Sequence, residues 1–351
     1  MNYSEIISKK GCRVLITGCS TSYNRFSYDE TPRTEATECG VGMGSWSFRL
    51  RDTLIFGDSF IFGSDIDFSS KSVLGIDNNS PIPNTALFNG KIKTLYPEGD
   101  VSFDFYFEGE TAFLYLQTRL DSPCIFDIAA DGKTVLKAVD TRGDEGFYAG
   151  YSMLRLPVLL DKEKTLHTLQ FKNISGEKAK ITVAGIGKKD IEVNLSGRGS
   201  QTANFFLTNF EERIGKYAPD LLIFNIGAND RVLTPPRDFG RDLKKLFTTF
   251  FERFPDSKIL YVFPLSSLDP NNPNNDSLEV GNYSSIQTIE LYDKMILDAV
   301  TFFGREKIDI FNTRSFFEGI EISEWRYDNI HLNKKGNDIL YDAVLKHLNL
   351  Q

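Results

Sequence analysis

The order of strand-like and helix-like segments constrains this chain most. Arg13-Val14-Leu15-Ile16-Thr17 is a short apolar run ending at Gly18, the pattern of a parallel strand buried on both faces. After Gly187 such runs return and alternate with amphipathic segments. Ile191–Asn194, Leu221–Asn225, Lys258–Phe263 and Ile308–Phe311 read as strands. Ala203–Tyr217, Phe239–Phe254 and Ser285–Phe303 read as helices. Asn333 is expected to cap a last helix with Ile339, Leu340, Ala343 and Val344 as its buried stripe, and Ser45 to cap an early one carrying Trp46, Leu50 and Leu54. Such alternation predicts a three-layer α/β/α fold around a parallel sheet.

The rhythm is interrupted. From about Asn84 strand-like segments follow one another with turn signals and little helical periodicity. Val101–Phe107, Ala112–Leu116, Cys124–Ile128, Leu166–Phe171 and Ala179–Val183 are of this kind, and Asp131-Gly132 is a hairpin turn before Thr134-Val135-Leu136. Short strands at this spacing predict an inserted all-β sandwich of about a hundred residues. The expected division is 1–83 and 188–351 for the α/β domain, with 84–187 inserted.

In open α/β sheets, sites lie beyond the carboxyl ends of the strands. Four polar segments fall there: Gly18-Cys19-Ser20, Gly197-Arg198-Gly199-Ser200, Gly227-Ala228-Asn229-Asp230, and Asp328-Asn329-Ile330-His331 before the last helix. A carboxylate three residues before a histidine can orient the imidazole and stabilise its charged form, the acid–base arm of a nucleophile–base–acid triad. The chain has three histidines. His167 sits in a strand-like segment and His347 at core spacing on the last helix, which leaves His331 as the general base. Asn229 closes a strand with a side-chain amide that can aim N–H donors at a developing oxyanion, and Gly227 lets the backbone turn beneath it. Each segment alone would also suit an ordinary turn; four on one sheet edge do not arise easily by accident.

This set resembles the SGNH, or GDSL-type, hydrolase family, over about residues 11–75 and 189–351. The Gly-x-Asn-Asp block at 227–230 and the Asp-x-x-His block at 328–331 stand complete and in order. The resemblance implies a flavodoxin-like serine hydrolase in which Asp328 orients, His331 is the base, and Asn229 is an oxyanion donor. Its nucleophile would be Ser20, whose own N–H also serves the oxyanion hole. The literal Gly57-Asp58-Ser59 string makes Ser59 the competitor. Ser20 is preferred because it follows the first buried strand, whereas Ser59 follows Leu54-Ile55-Phe56, the end of a helix. The remaining donor is a backbone N–H in Gly199-Ser200-Gln201-Thr202, where the family has Gly-Gly-x-Thr; Gly199 is slightly preferred to Ser200.

Composition sets the remaining bounds. A net charge of −8 argues against non-specific nucleic-acid binding. No run is long enough to span a bilayer, and the first ten residues lack the apolar core of a signal peptide. A cytoplasmic protein with reduced thiols is expected, with release by lysis or a non-classical route as the other course, since four scattered cysteines make no disulfide scaffold. No metal-ligand cluster or cofactor fingerprint is visible, so no metal or cofactor is expected. The partner is an acylated small molecule or glycan. Most of the 29 Phe and 14 Tyr are expected to fill the sandwich core, while the segments Tyr23–Tyr28 and Phe147–Tyr151 could dock a sugar, which suggests deacetylation of a carbohydrate. An acyltransferase using the same serine, or a non-catalytic carbohydrate-binding or assembly protein, would use the same scaffold. The sequence does not fix the oligomeric state.

Overall fold

A computed structural model of the chain describes residues 1–19, 45–57, 60–74, 91–118, 123–142, 153–264, 286–326 and 331–350. The chain divides into two compact units, Met1–Arg51 with Ile191–Gln351, and Asp52–Asp190.

The first unit holds a five-stranded, all-parallel sheet. Its strands are β1 (Cys12–Gly18), β12 (Ile191–Leu195), β13 (Leu221–Asn225), β14 (Lys258–Val262) and β15 (Ile308–Phe311), in the order β12-β1-β13-β14-β15. The chain enters next to one edge with β1, adds the edge strand β12, then returns past β1 to build outward from β13. The order reverses between β1 and β13, and a reversal opens a crevice at the carboxyl ends of those strands. Gly18 pairs with Asn225 at that point.

Helices cover both faces, as strands this apolar require. Leu15, Leu222, Phe224, Ile259, Tyr261 and Ile308 share one core with α3 (Ala203–Thr208), α6 (Pro236–Arg253) and α7 (Ile286–Phe303). The opposite face of β15 carries Asp309, which is bonded by Tyr3 of α1 (Tyr3–Ile7) and His347 of α9 (Lys334–His347). The first residues of α2 (Trp46–Ile55) are tied to α9, because Asn337 Oδ1 accepts the Trp46 N–H at 3.1 Å. Three short helices complete the unit: α4 (Phe210–Arg213), α5 (Asp230–Leu233) and α8 (Ile322–Trp325). The single helix expected over 203–217 is broken at Asn209, whose side chain donates to the Phe205 carbonyl at 2.8 Å and so competes with the helical ladder.

The second unit is a β-sandwich. One antiparallel sheet has the order β5-β10-β7-β8, from Val101–Tyr106, Leu166–Ser175, Ile125–Ala130 and Lys133–Asp140. The other has the order β3-β4-β11-β6-β9, from Ser72–Leu74, Lys93–Leu95, Ile181–Gly187, Thr111–Gln117 and Met153–Leu159, with β2 (Ile61–Phe62) also on β11. Phe103, Phe126 and Phe171 of the first sheet meet Leu114, Leu116 and Val183 of the second in one core. Asp131 and Gly132 both have positive φ, 50° and 81°, as the predicted hairpin turn between β7 and β8 requires. The unit begins at Asp52, not at the expected residue 84, because β2 and β3 pair into its sheet. Among the described residues no helix is long and apolar enough to cross a membrane.

Candidate active site

Three loops leave the carboxyl ends of β12, β1 and β13 as neighbours. β1 runs into Cys19, fully buried, which donates its N–H to the Asn225 carbonyl at 3.1 Å. On the other side the Arg198 N–H donates to the Gly18 carbonyl at 3.0 Å. The backbone that delivers residue 20 is therefore held between the other two loops. Ser20 itself, its competitor Ser59, Asp328, and the tyrosine-bearing segments 23–28 and 147–151 lie outside the described residues.

The loop after β12 turns at Ser200, whose φ of 58° places it in the left-handed region. A residue with a Cβ stands there at a cost of about 1 kcal/mol or more. The left-handed position of this turn is thus Ser200, beside Gly199. The Gln201 side chain closes the turn by donating to the Gly199 carbonyl at 3.2 Å.

The loop after β13 bends at Gly227, with φ 114°, where a Cβ would stand 3.1 Å from Pro264 Cγ. Asn229 follows, and its Nδ2 donates to the Gln201 carbonyl at 3.0 Å. One amide N–H is thus committed to the neighbouring loop. Asp230 is fully buried and opens α5. Its Oδ1 accepts the Ala203 N–H at 2.9 Å, at the first residue of α3, while Oδ2 is enclosed without a hydrogen-bond partner. Burial, with Asp242 nearby, pushes this carboxyl up to about 7 against the opposing pull of the Ala203 N–H and Arg231.

His331 is half-buried and stands just before α9. Arg326 and Leu332 pair as an antiparallel bridge, and the Asn333 N–H donates to the Trp325 carbonyl at 3.1 Å. The segment that carries the histidine is therefore closed at its base. Asn333 caps α9 as expected, its Oδ1 accepting the Gly336 N–H at 3.0 Å. Its Nδ2 reaches back to the Glu324 carbonyl at 3.0 Å.

Residues 179–339 match the model of the GDSL-like lipase/acylhydrolase family. Over that span, a little under half of the chain, it is similar to the GDSL-like lipases and acylhydrolases. No curated protein matches the chain. Among solved structures, a peptidoglycan O-acetylesterase is similar at 12% identity and a TM-score of 0.42, over 99% of this chain and 94% of that one. A family two carbohydrate esterase from Clostridium thermocellum, in complex with cellohexaose, is similar at 11% identity and 0.36, over 80% and 100%. An acetylxylan esterase from Geobacillus stearothermophilus is similar at 15% and 0.36, over 46% and 74%.

The two other histidines each hold a carboxylate. His167, fully buried in the sandwich, meets Asp131 at 2.8 Å through Nδ1. His347 meets Asp309 at 3.0 Å through Nε2, and Tyr3 donates to the same oxygen at 2.7 Å. Burial works to raise the Asp309 carboxyl, yet the His347 and Tyr3 bonds outweigh it and hold it below the usual range. An aspartate partner alone therefore does not mark a histidine of this chain as a general base. Asp230 is the residue that sequence reading passed over. It stood in the quoted Gly-Ala-Asn-Asp segment with no task, and its signal was a carboxylate where a helix begins.

Proposed function

We propose that the chain hydrolyses an acyl ester, of the acetyl class, on a carbohydrate, with Ser20 as nucleophile. Ser20 Oγ attacks the ester carbonyl, and His331 takes its proton while Asp328 holds the imidazole. The C–O bond to the sugar breaks, His331 returns the proton to the leaving hydroxyl, and water then releases the acyl group from Ser20. The oxyanion sits among the Ser20 N–H, the backbone N–H at Gly199 and the Asn229 amide.

The observation that carries this reading is the meeting of three loops at the reversal point of the sheet, joined by the Cys19–Asn225 and Arg198–Gly18 bonds. The choice of a carbohydrate draws on the sandwich. Its outward face at β5, β10 and β7 carries Tyr106, 74% exposed, with Asp104 bonded to Thr168 and Asp127 bonded to Asn173. An open aromatic ring beside hydroxyl-binding groups suits sugars.

Labelling with a fluorophosphonate probe followed by peptide mapping tests the reading. The adduct is expected on the peptide holding Ser20, and Ser20→Ala should lose p-nitrophenyl acetate hydrolysis by about 10⁴-fold or more with its circular dichroism unchanged. An adduct on Ser59, with full activity in Ser20→Ala, would reverse the assignment.

A further inference from the structure

Two adjacent side chains of the β13 loop reach across to the loop before α3. Asn229 Nδ2 bonds the Gln201 carbonyl and Asp230 Oδ1 bonds the Ala203 N–H. The second bond replaces a missing cap. Thr202 occupies the N-cap position of α3 but makes no side-chain capping bond, and the buried Ala203 N–H at the start of this helix is satisfied from another element. Between these anchors and β1 lies the Gly199–Ser200 turn, held at its other end by the Arg198–Gly18 bond. The turn carries a strained residue, Ser200, and such a conformation persists only where its surroundings over-determine it.

We infer that Asp230 is a positioning residue of the ester-hydrolysing site: its carboxyl fixes the start of α3, and through it the Gly199–Ser200 turn, at the distance from Asn229 that an oxyanion needs. The inference rests on the reading of Asn229 and that turn as the oxyanion donors. Asp230 touches no reacting atom. Its effect is confined to geometry that matters when charge develops on the carbonyl oxygen, so it should appear in kcat and not in KM. Burial explains why a carboxyl is suited to the task. Its Oδ1 is engaged by the Ala203 N–H and its Oδ2 is enclosed, so the side chain is held in one place.

The test uses the full chain, p-nitrophenyl acetate as substrate, and circular dichroism on each variant. Asn229→Ala comes first, with an expected kcat loss of about 10²–10³-fold. Asp230→Ala should lose kcat by about 10- to 100-fold with KM within about twofold, while Asp230→Asn, which keeps an acceptor for the Ala203 N–H, stays within about threefold of wild type. Ala203→Pro breaks the same bond from the donor side, at a first helical position where proline is accepted, and should reproduce a kcat loss of about tenfold even where Asp230→Ala does not fold. Wild-type kcat in Asn229→Ala would overturn the oxyanion reading and the inference with it. A large loss in Asn229→Ala beside wild-type kcat in Asp230→Ala or Ala203→Pro would overturn the inference alone, as would an asparagine variant as impaired as the alanine one.

Discussion

Where Asp230 stands, its carboxyl is held more readily neutral than charged. An ordinary aspartate titrates near 3.8, and burial carries this one to about 7. Below about pH 4 the folded and unfolded chains both hold the proton. Between about 4 and about 7 only the folded chain does, so this group's contribution to stability falls as pH rises through that window and is constant above it. Asp230→Asn removes the titration while keeping the shape. Its stability relative to wild type should therefore grow from pH 4.5 to pH 7.5, by on the order of 4 kcal/mol at most. Urea unfolding of both proteins at the two pH values checks this; a difference that stays flat or shrinks would mean that the carboxyl is solvated. The residue also shows what a sequence withholds. Gly227 and Asn229 were legible because a tight turn and an amide after a strand announce themselves locally. Asp230 was not, since its partner is Ala203 and its raised titration comes from burial with Asp242 nearby. Likewise, His167 and His347 find their carboxylates at Asp131 and Asp309, pairings that no short motif records.

Elements were legible in proportion to how strongly one environment dictates their residues. β1, β13 and β15 are buried on both faces or nearly so, and read as apolar runs close to their true bounds. β9 was missed because Met153-Leu154-Arg155-Leu156-Pro157-Val158-Leu159 does not alternate and contains a proline. It is an edge strand, where proline is tolerated. β2, β3 and β4 are two or three residues long and hold their place through β11 and one another, not through their own pattern. The turn before α9 lies between these cases. Asn333 was recognisable as a cap, but its reach back to Glu324 was not. One side chain thus starts α9 and binds the end of α8. Asn333→Ala should cost about 1–2 kcal/mol in chemical denaturation and lower kcat through His331, two residues upstream. Asn333→Asp keeps the acceptor for Gly336 and should fall between. An alanine variant within about 0.3 kcal/mol of wild type would show that the turn is held by other groups.

At the scale of the whole molecule, two hydrophobic clusters among the described residues have no residue in common. One lies on the α3, α6 and α7 side of the parallel sheet, the other between the two sheets of the sandwich. The α/β chain is interrupted after α2 begins and resumes at β12, so the sandwich is an insertion in the sequence of that unit. The sequence announced the insertion by a change of period from 3.6 to 2, but not its first strands. Separate cores of this size predict separate cooperative transitions. Phe171 is fully buried and packs against Phe103 and Phe126, with ring centroids at 6.1 and 5.1 Å. Phe247 is fully buried against Phe224, Tyr261 and Phe303, at 6.3, 6.2 and 6.0 Å. Replacing either by alanine should cost its own unit about 3–5 kcal/mol. Calorimetry of Phe171→Ala is then expected to move one transition down and leave ester hydrolysis intact at 25 °C. Phe247→Ala should move the other and carry the loss of activity with it to lower temperature. If both substitutions displace one and the same transition, the two cores unfold as a single cooperative block, and the insertion contributes to the stability of the domain it interrupts.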